Sequence, residues 1–409
     1  MGFFADLHIH SKYSRATSKE MNLDGISTAA KMKGIKLMGT GDFTHPEWLK
    51  ELEEKLQPVN GNLYIYKDVY YMLTAEVSNV YEKNGRTYKI HNIIFAPDFE
   101  KVKEINKILR EYGDLSSDGR PQLSLDSKIM LKRLSEIDGV YVAPAHVWTP
   151  WFSLFGANSG FDSIDECFEE YTDKVLALET GLSSDPPMNW RLSSLDRFAL
   201  ISNSDAHSPQ NIGREANYFN CELNYWEIMK AIKNKDKEKF GFTVEFFPEE
   251  GKYHYDGHRK CGIRVSPKEA EATNCICPKC GKRLTIGVLH RVHNLADREE
   301  GFVPENAIPY KHLIPLREII AFATGRPKES PVVERDYKRM IHELGNEFDI
   351  LLNLSFDEIK HASSEKIAQC VINAREGKVE VIPGYDGVYG EIRIKLEGLE
   401  EKKSQMSLF

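Results

Sequence analysis

The stretch Asp6-Leu7-His8-Ile9-His10 is the strongest chemical signal in the chain. In extended backbone the side chains alternate, so Asp6, His8 and His10 share one face while Leu7 and Ile9 take the other, and two imidazoles aim at one point. Alone, such a pair is as readily two structural histidines bonded to backbone. It is not alone. Gly41-Asp42-Phe43-Thr44-His45 closes a second apolar run, Glu76 ends Leu73-Thr74-Ala75-Glu76, and His91 opens His91-Asn92-Ile93-Ile94-Phe95. His146 follows Val142-Ala143-Pro144-Ala145, and Ser204-Asp205-Ala206-His207 follows Ile201. Six of the thirteen histidines thus fall at or near ends of apolar runs, too many for chance core residues. Imidazole nitrogens with carboxylate oxygens and no thiolate make a ligand set for zinc, manganese or iron in hydrolytic sites, whereas oxygen ligands alone favour magnesium.

A second constellation lies further on. Cys277-Pro278-Lys279-Cys280-Gly281 is a C-x-x-C knuckle, and His258-Arg259-Lys260-Cys261 precedes it. His258, Cys261, Cys277 and Cys280 make a four-ligand structural zinc site, with Cys275 the competing fourth ligand. A closed tetrahedral site would fold a segment with too few apolar residues to fold unaided.

The elements that must position these groups can be read from periodicity. Residues 3–10, 35–42, 70–79, 88–95, 139–146, 174–179 and 198–204 are short apolar runs followed by polar clusters, the pattern of buried parallel strands in α/β units. Seven such strands predict a barrel whose chemistry gathers at strand ends. From about residue 304 onward, 336–345, 355–362 and 364–376 show helical spacing. The predicted division is a barrel over 1–235, a zinc-binding module over 236–303, a helical domain over 304–400 and a tail over 401–409.

Composition narrows the class. The chain has 409 residues, 41 % hydrophobic and 28 % charged, and no apolar run long enough to span a membrane. The start shows neither a basic region nor an apolar signal core, which predicts a cytoplasmic protein. A net charge of −8 argues against a protein that coats nucleic acid, yet residues 251–300 carry ten Lys or Arg against six Asp or Glu, a local +4. Seven cysteines in such a chain read as metal or core residues, not disulfides.

The order of the first constellation, HxH, then D-x-x-H, E, H, H and S-D-A-H, resembles the polymerase-and-histidinol-phosphatase (PHP) family. The resemblance implies an α/β fold built on a distorted seven-stranded β/α barrel holding up to three metals. It implies His8, His10, Glu76 and Asp205 around the first metal and Glu76, His91 and His146 around the second. His207 with His45 would serve a third. Many members read T-D-H where this chain has Asp42-Phe43, so either His45 substitutes or Asp42 itself coordinates. Metal-assisted hydrolysis needs no Ser or Cys nucleophile; Glu76, Asp205, His8 and His10 would carry the chemistry, with zinc, magnesium or manganese as the ion.

The stretch Asp256-Gly257-His258-Arg259, the C-P-x-C-G, Leu284–Val292 in one-letter form LTIGVLHRV, and the loop at 383–390 are similar to the archaeal endonuclease Q family and its bacterial relatives. That resemblance implies repair of DNA, by cleavage 5′ of uracil, hypoxanthine, xanthine or an abasic site. Choosing a deaminated base requires extruding it and testing its Watson–Crick edge. Arg15 is a candidate for a substrate phosphate, and Asn158, Ser159, Ser183, Asn189 and Asn203 for base contacts. The ending Gln405-Met406-Ser407-Leu408-Phe409 resembles the start of a peptide that binds the replication sliding clamp. Two other classes fit parts of the pattern: a small-molecule phosphatase of the histidinol-phosphate type, and a noncatalytic DNA-binding or clamp-associated protein.

Overall fold

The apolar runs of the first two hundred residues form a distorted β/α barrel in the computed structural model, which describes residues 2–396. Its order is β1 (Phe3–Asp6), α1 (Leu23–Lys33), β2 (Ile35–Gly39), α2 (Pro46–Lys55), then a ribbon of β3 (Gln57–Val59) and β4 (Leu63–Tyr66). The long β5 (Val69–Lys83) and β6 (Arg86–Ala96) come next, then α3 (Phe99–Leu109), β7 (Gln122–Leu123), α4 (Ser127–Leu134) and β8 (Tyr141–Pro144). α5 (Ile164–Phe168), β9 (Ala177–Glu179), α6 (Pro186–Trp190), β10 (Ala199–Ile201), β11 (Ala216–Phe219), α7 (Tyr225–Lys233) and β12 (Phe240–Glu245) complete it.

All seven expected runs are strands, namely β1, β2, β5, β6, β8, β9 and β10. Not all are parallel. β1, β2 and β5 run parallel, as do β9 and β10, but β5 and β6 form an antiparallel hairpin paired from Leu73–Ala96 to Lys83–Arg86. Asn84 and Gly85 close it at φ 52° and 77°, the positive angles that a two-residue hairpin turn demands. β6 also pairs antiparallel with β8. Beyond the ladders, Leu176 N donates to Val142 O at 2.9 Å to join β8 to β9, and Asn217 of β11 bonds both backbone groups of Ser202 after β10. Phe3, Leu37, Met72, Ile93, Phe95 and Phe219 pack the buried centre.

The chain separates into two units, one running to Leu313 and taking back Ile382–Glu391, the other comprising Ile314–Val381 and the described residues from Ile392. Past residue 235, β12 pairs with β11, and Phe240 and Val244 are fully buried, so this strand joins the barrel sheet. A hairpin of β13 (Asp256–His258) and β14 (Ile263–Val265), with α8 (Pro267–Ala272) and α9 (Val288–Leu295), follows before β15 (Tyr310–His312) returns beside β12. Ser266 caps α8 in a reciprocal box with Glu269.

The second unit is helical: α10 (Leu316–Thr324), α11 (Pro331–Leu344), α12 (Glu347–Leu352), α13 (Phe356–Ala362) and α14 (Glu365–Arg375). Ile319, Ile320, Tyr337, Met340, Ile359 and Val371 form its interior, and the buried Glu347 accepts from Leu316 N and Tyr337 Oη. Among the described residues no helix is long and apolar enough to cross a membrane. The clamp-peptide reading of Gln405 to Phe409 lies outside the described residues.

Candidate metal centre

Continuing past β1, the HxH stretch is stitched to the Asp205 segment by Asp205 N→His8 O at 2.9 Å and His10 N→Ala206 O at 3.0 Å. Leu7 and Ile9 are fully buried on the far face, so both imidazoles turn inward as alternation predicts. Glu76 comes from the middle of β5, His91 from β6, and His146 from the turn after β8. Asp42, His146 and Asp205 have φ of 51°, 30° and 47°, a left-handed conformation that costs ordinary side chains on the order of 1–3 kcal/mol. Each is held there by the strand end it terminates.

Two groups of ligand-type atoms result, each with its members within 4.8 Å of one another: His8, His10, Glu76 and Asp205, and Glu76, His91 and His146. Glu76 belongs to both. Its Oε2 lies 3.0 Å from His10 Nε2 and 3.5 Å from His8 Nε2, while its Oε1 lies 2.7 Å from His91 Nδ1 and 3.1 Å from His146 Nε2.

The outer nitrogens of the histidines are committed. His8 Nδ1 sits 3.0 Å from both oxygens of Glu179, His10 Nδ1 faces Asp42 at 2.9 Å, and His146 Nδ1 faces Thr149 Oγ1 at 3.0 Å. A proton on Nδ1, where a carboxylate accepts it, leaves a lone pair on Nε2. His8 Nε2, His10 Nε2 and Asp205 Oδ1 are buried and meet no hydrogen-bonding partner among the described residues, although carboxylate oxygens lie 3.0–3.8 Å from the two nitrogens. Lone pairs converging on lone pairs in a desolvated place require a cation between them. The electrostatics agree. Burial alone would strip His8 and His10 of charge, yet Glu179 and Glu76 around the first, and Asp42, Asp205 and Glu76 around the second, hold both well above the imidazole range, so the place calls for positive charge, and an ion at Nε2 would take the place of the second proton on each ring. Burial likewise raises Glu76 and Asp205, but neighbouring histidines, with Arg120 at Glu76, pull both below the usual carboxylate range. The donor set therefore fits a metal ion.

Other expected residues are placed differently. Asp42 points behind His10, and its oxygens accept from Ser11 N, Ser11 Oγ and Ser14 Oγ as well as His10, so they are occupied as acceptors and lie outside both groups. Its left-handed backbone turns the carboxylate there. His45 begins α2 and stacks on Tyr13, ring centroids 4.5 Å apart; His207 lies against His10 with its Nδ1 on the Asp205 carbonyl. Neither belongs to a group of three or more such ligands among the described residues. Arg15 is exposed, with its side chain 4.0 Å from Asp118. Asn158 is exposed and Ser183 half-buried. Asn203 is consumed internally, accepting from Leu7 N and Asn217 and donating to Glu179; Asn189 and Ser159 are likewise bonded within the fold.

Sequence reasoning missed Glu179, whose two oxygens also accept from His146 N and Asn203 Nδ2 at 2.9 Å each. A carboxylate closing the sixth apolar run was the available signal. It also missed Arg120, whose Nη1 donates to Glu76 Oε2 at 3.0 Å. Arg120 follows Gly119, where any Cβ would stand 2.3 Å from Asp42 Oδ2 and from Ser14 Oγ.

In the cysteine segment His258, Cys261, Cys277 and Cys280 bring one donor atom each within 4.8 Å of the others. Cys275 is not among them and packs against Ala270, Cys277 and Leu284. Burial raises the Cys277 thiol, but His258 and the Lys279 and Cys280 N–H groups of the knuckle bring it down to about 6, readying a thiolate. Asp256, just before this group, takes Gly287 N and His290 Nδ1, both at 2.6 Å, and thereby ties β13 to α9.

Residues 315–378 match the family model described as the MJ0043 C-terminal domain. An uncharacterized protein, MJ0043 of Methanocaldococcus jannaschii, is 35 % identical over 286 residues, 67 % of this chain. The chain spans 35 % of that relative's length. Among solved structures, the lesion-specific endonuclease PfuEndoQ from Pyrococcus furiosus superposes with a TM-score of 0.87 at 34 % identity, covering 96 % of both chains. An Endonuclease Q complex with a 27-mer duplex bearing an abasic lesion at its active site superposes with a TM-score of 0.86, also at 34 % identity, over 100 % of both.

Proposed function

The chain belongs to the endonuclease Q family, and from that premise we propose that it is a metal-dependent endonuclease that nicks damaged DNA 5′ of uracil, hypoxanthine, xanthine or an abasic site. The observation that carries the reading is the pair of ligand groups sharing Glu76, with the unpartnered His8 Nε2, His10 Nε2 and Asp205 Oδ1 converging inside it.

His8, His10, Glu76 and Asp205 would hold one ion, and Glu76, His91 and His146 a second. Two imidazoles in each group, with two carboxylates in the first and one in the second, favour zinc over magnesium, with manganese also compatible. Bound ions supply Lewis acidity and lower the pKa of water beside them. The chain's own residues prepare the ground. Glu179 and Asp42 fix the tautomers of His8 and His10, and Thr149 orients His146. Arg120 brings positive charge beside Glu76 on a loop pinned by Gly119 N→Tyr13 O and Thr44 Oγ1→Gly119 O, where a phosphate would gain a donor. Cysteine is spared: Cys167 is buried in α5 near Tyr81, its thiol raised by burial. His258, Cys261, Cys277 and Cys280 would hold a structural zinc, and the local +4 charge of 251–300 supports a DNA contact there. The helical domain would bind DNA, and Gln405 to Phe409 would contact the sliding clamp, the latter tested by clamp binding to the full chain and to one ending at Ser404.

The test is nicking of end-labelled duplexes bearing one uracil, one hypoxanthine or no lesion. The expected outcome is a single cut 5′ of the lesion that Asp205→Ala abolishes. Intact lesion duplexes with the zinc-loaded protein, alongside turnover of a small phosphomonoester, would overturn the nuclease reading in favour of a phosphatase.

A further inference from the structure

Between His146 and Phe161 the chain makes a loop braced on every side but one. Thr149 Oγ1, which meets His146 Nδ1 at 3.0 Å, donates to Trp151 O at 3.0 Å. One residue later His91 N donates to Phe152 O at 3.0 Å, and Phe152 N donates to Ser159 Oγ at 3.0 Å. From outside, Arg291 of α9 donates to the carbonyls of Phe155 and Phe161, both at 3.0 Å. The backbone on either side of Trp151 is thus tied to the two histidines of the second ligand group.

The side chains separate sharply. Phe152 sits at φ 59°, an unusual place for a bulky residue, with its ring 5.0 Å from that of His91. Trp151 faces outward and is 56 % exposed. A strained backbone persists only where its surroundings over-determine it, and it clusters at functional sites. Here Phe152 packs its ring against His91 while the neighbouring indole stays exposed, on backbone tied through Phe152 O to His91 and through Thr149 to His146. Indole faces stack on nucleobases without regard to sequence.

We propose that Trp151 is the stacking platform for a nucleobase immediately flanking the cleaved phosphodiester. This rests on the nuclease reading above. An abasic site offers no base of its own, so a platform on a flanking base gives the site a hold common to all its lesions.

The experiment compares wild type, Trp151→Phe and Trp151→Ala in duplex affinity, single-turnover nicking of a uracil duplex, and bound zinc. Trp151→Ala should weaken productive binding about five- to a hundred-fold, the range of one base–aromatic stack, with zinc content unchanged and most of the loss restored in Trp151→Phe. A second abasic position, placed in turn on each side of the cut, identifies the partner: one of them should weaken wild type by a similar factor and leave Trp151→Ala no weaker than before. Wild-type affinity and rate in Trp151→Ala, equal losses in both variants with zinc lost, or additive effects at both flanking positions would each overturn the proposal. If wild type fails to nick any lesion duplex, the nuclease reading itself falls, an outcome separate from these.

Discussion

Glu179→Gln changes one atom in a fully buried place, and its cost can be followed donor by donor. Oε1 accepts from Asn203 Nδ2 and Oε2 from His146 N, each at 2.9 Å, and His8 Nδ1 lies 3.0 Å from both. Three donors thus share two oxygens. A glutamine keeps one oxygen, so its NH2 must face either Asn203 or the His146 N–H, leaving a buried donor unmet at about 1–3 kcal/mol. His8 can relieve the crowding by moving its proton to Nε2 and accepting at Nδ1. That proton then sits on the nitrogen a metal needs. Binding at the first ligand group should therefore weaken about 10- to 100-fold, or ~1.4–2.7 kcal/mol. The assay is chelator competition for zinc, followed independently by the absorption of the cobalt-substituted protein. The apo form should unfold within a few degrees of wild type, and the metal-dependent rise in Tm should shrink. Unaltered zinc affinity and an unaltered cobalt spectrum would refute the claim that Glu179 sets the His8 tautomer.

Three further outcomes follow from the same geometry. Gly119→Ala places a methyl 2.3 Å from Asp42 Oδ2 and Ser14 Oγ, which should push Asp42 off His10 and lower lesion nicking at least about tenfold for about 1–3 kcal/mol of stability; wild-type nicking would show that Asp42 is dispensable. Cys277→Ser should release one zinc per chain and raise hydrogen exchange across 256–285 while the barrel amides stay protected; uniform exchange would place the metal elsewhere. Glu245 is fully buried, and burial, opposed by hydrogen bonds from Thr243 and Thr180, pushes its carboxyl up to about 7. The folded chain then holds a proton that the unfolded chain releases near 4.5, so stability falls as pH rises from there to about 7. Glu245→Gln should flatten that fall in calorimetric scans between pH 5 and 8; superimposable profiles would refute the assignment.

The shared face of His8 and His10 was legible because strand alternation is a rigid rule: once Leu7 and Ile9 are buried, both imidazoles have one place to go, whereas grouping Glu76, His91, His146 and Asp205 with them rested on the family resemblance. What alternation does not govern was harder to read. Asp42 and His45 lie past the end of β2, in a turn whose left-handed residue at Asp42 carries its carboxylate behind His10. Asn203 and Asn189 looked like base readers, but a buried amide spends its donors and acceptors on the nearest backbone and side chains, and their partners are 14 or more residues away for the bonds that decide it. Arg120 arrives from a loop with no period at all. The antiparallel β5–β6 hairpin did have a signal, since Asn84-Gly85 between two alternating runs is a hairpin turn.

The positive φ values bear on how such a site stays open to a metal. Asp42, His146, Phe152 and Asp205 each sit at an angle that an unconstrained chain would leave, and together they border both ligand groups. Their conformations are held by hydrogen bonds made elsewhere, such as Asp205 N→His8 O, His146 N→Glu179 and Phe152 N→Ser159. The barrel's ladders and buried core oppose the combined strain and the mutual repulsion of Glu76, Asp205, Asp42 and Glu179. Collapse of the centre around its own histidines is prevented because Nδ1 of His8, His10 and His146 is already committed outward. Ligand orientation therefore rests on bonds to protein groups outside the centre, so binding energy goes into holding the metal and not into ordering these side chains.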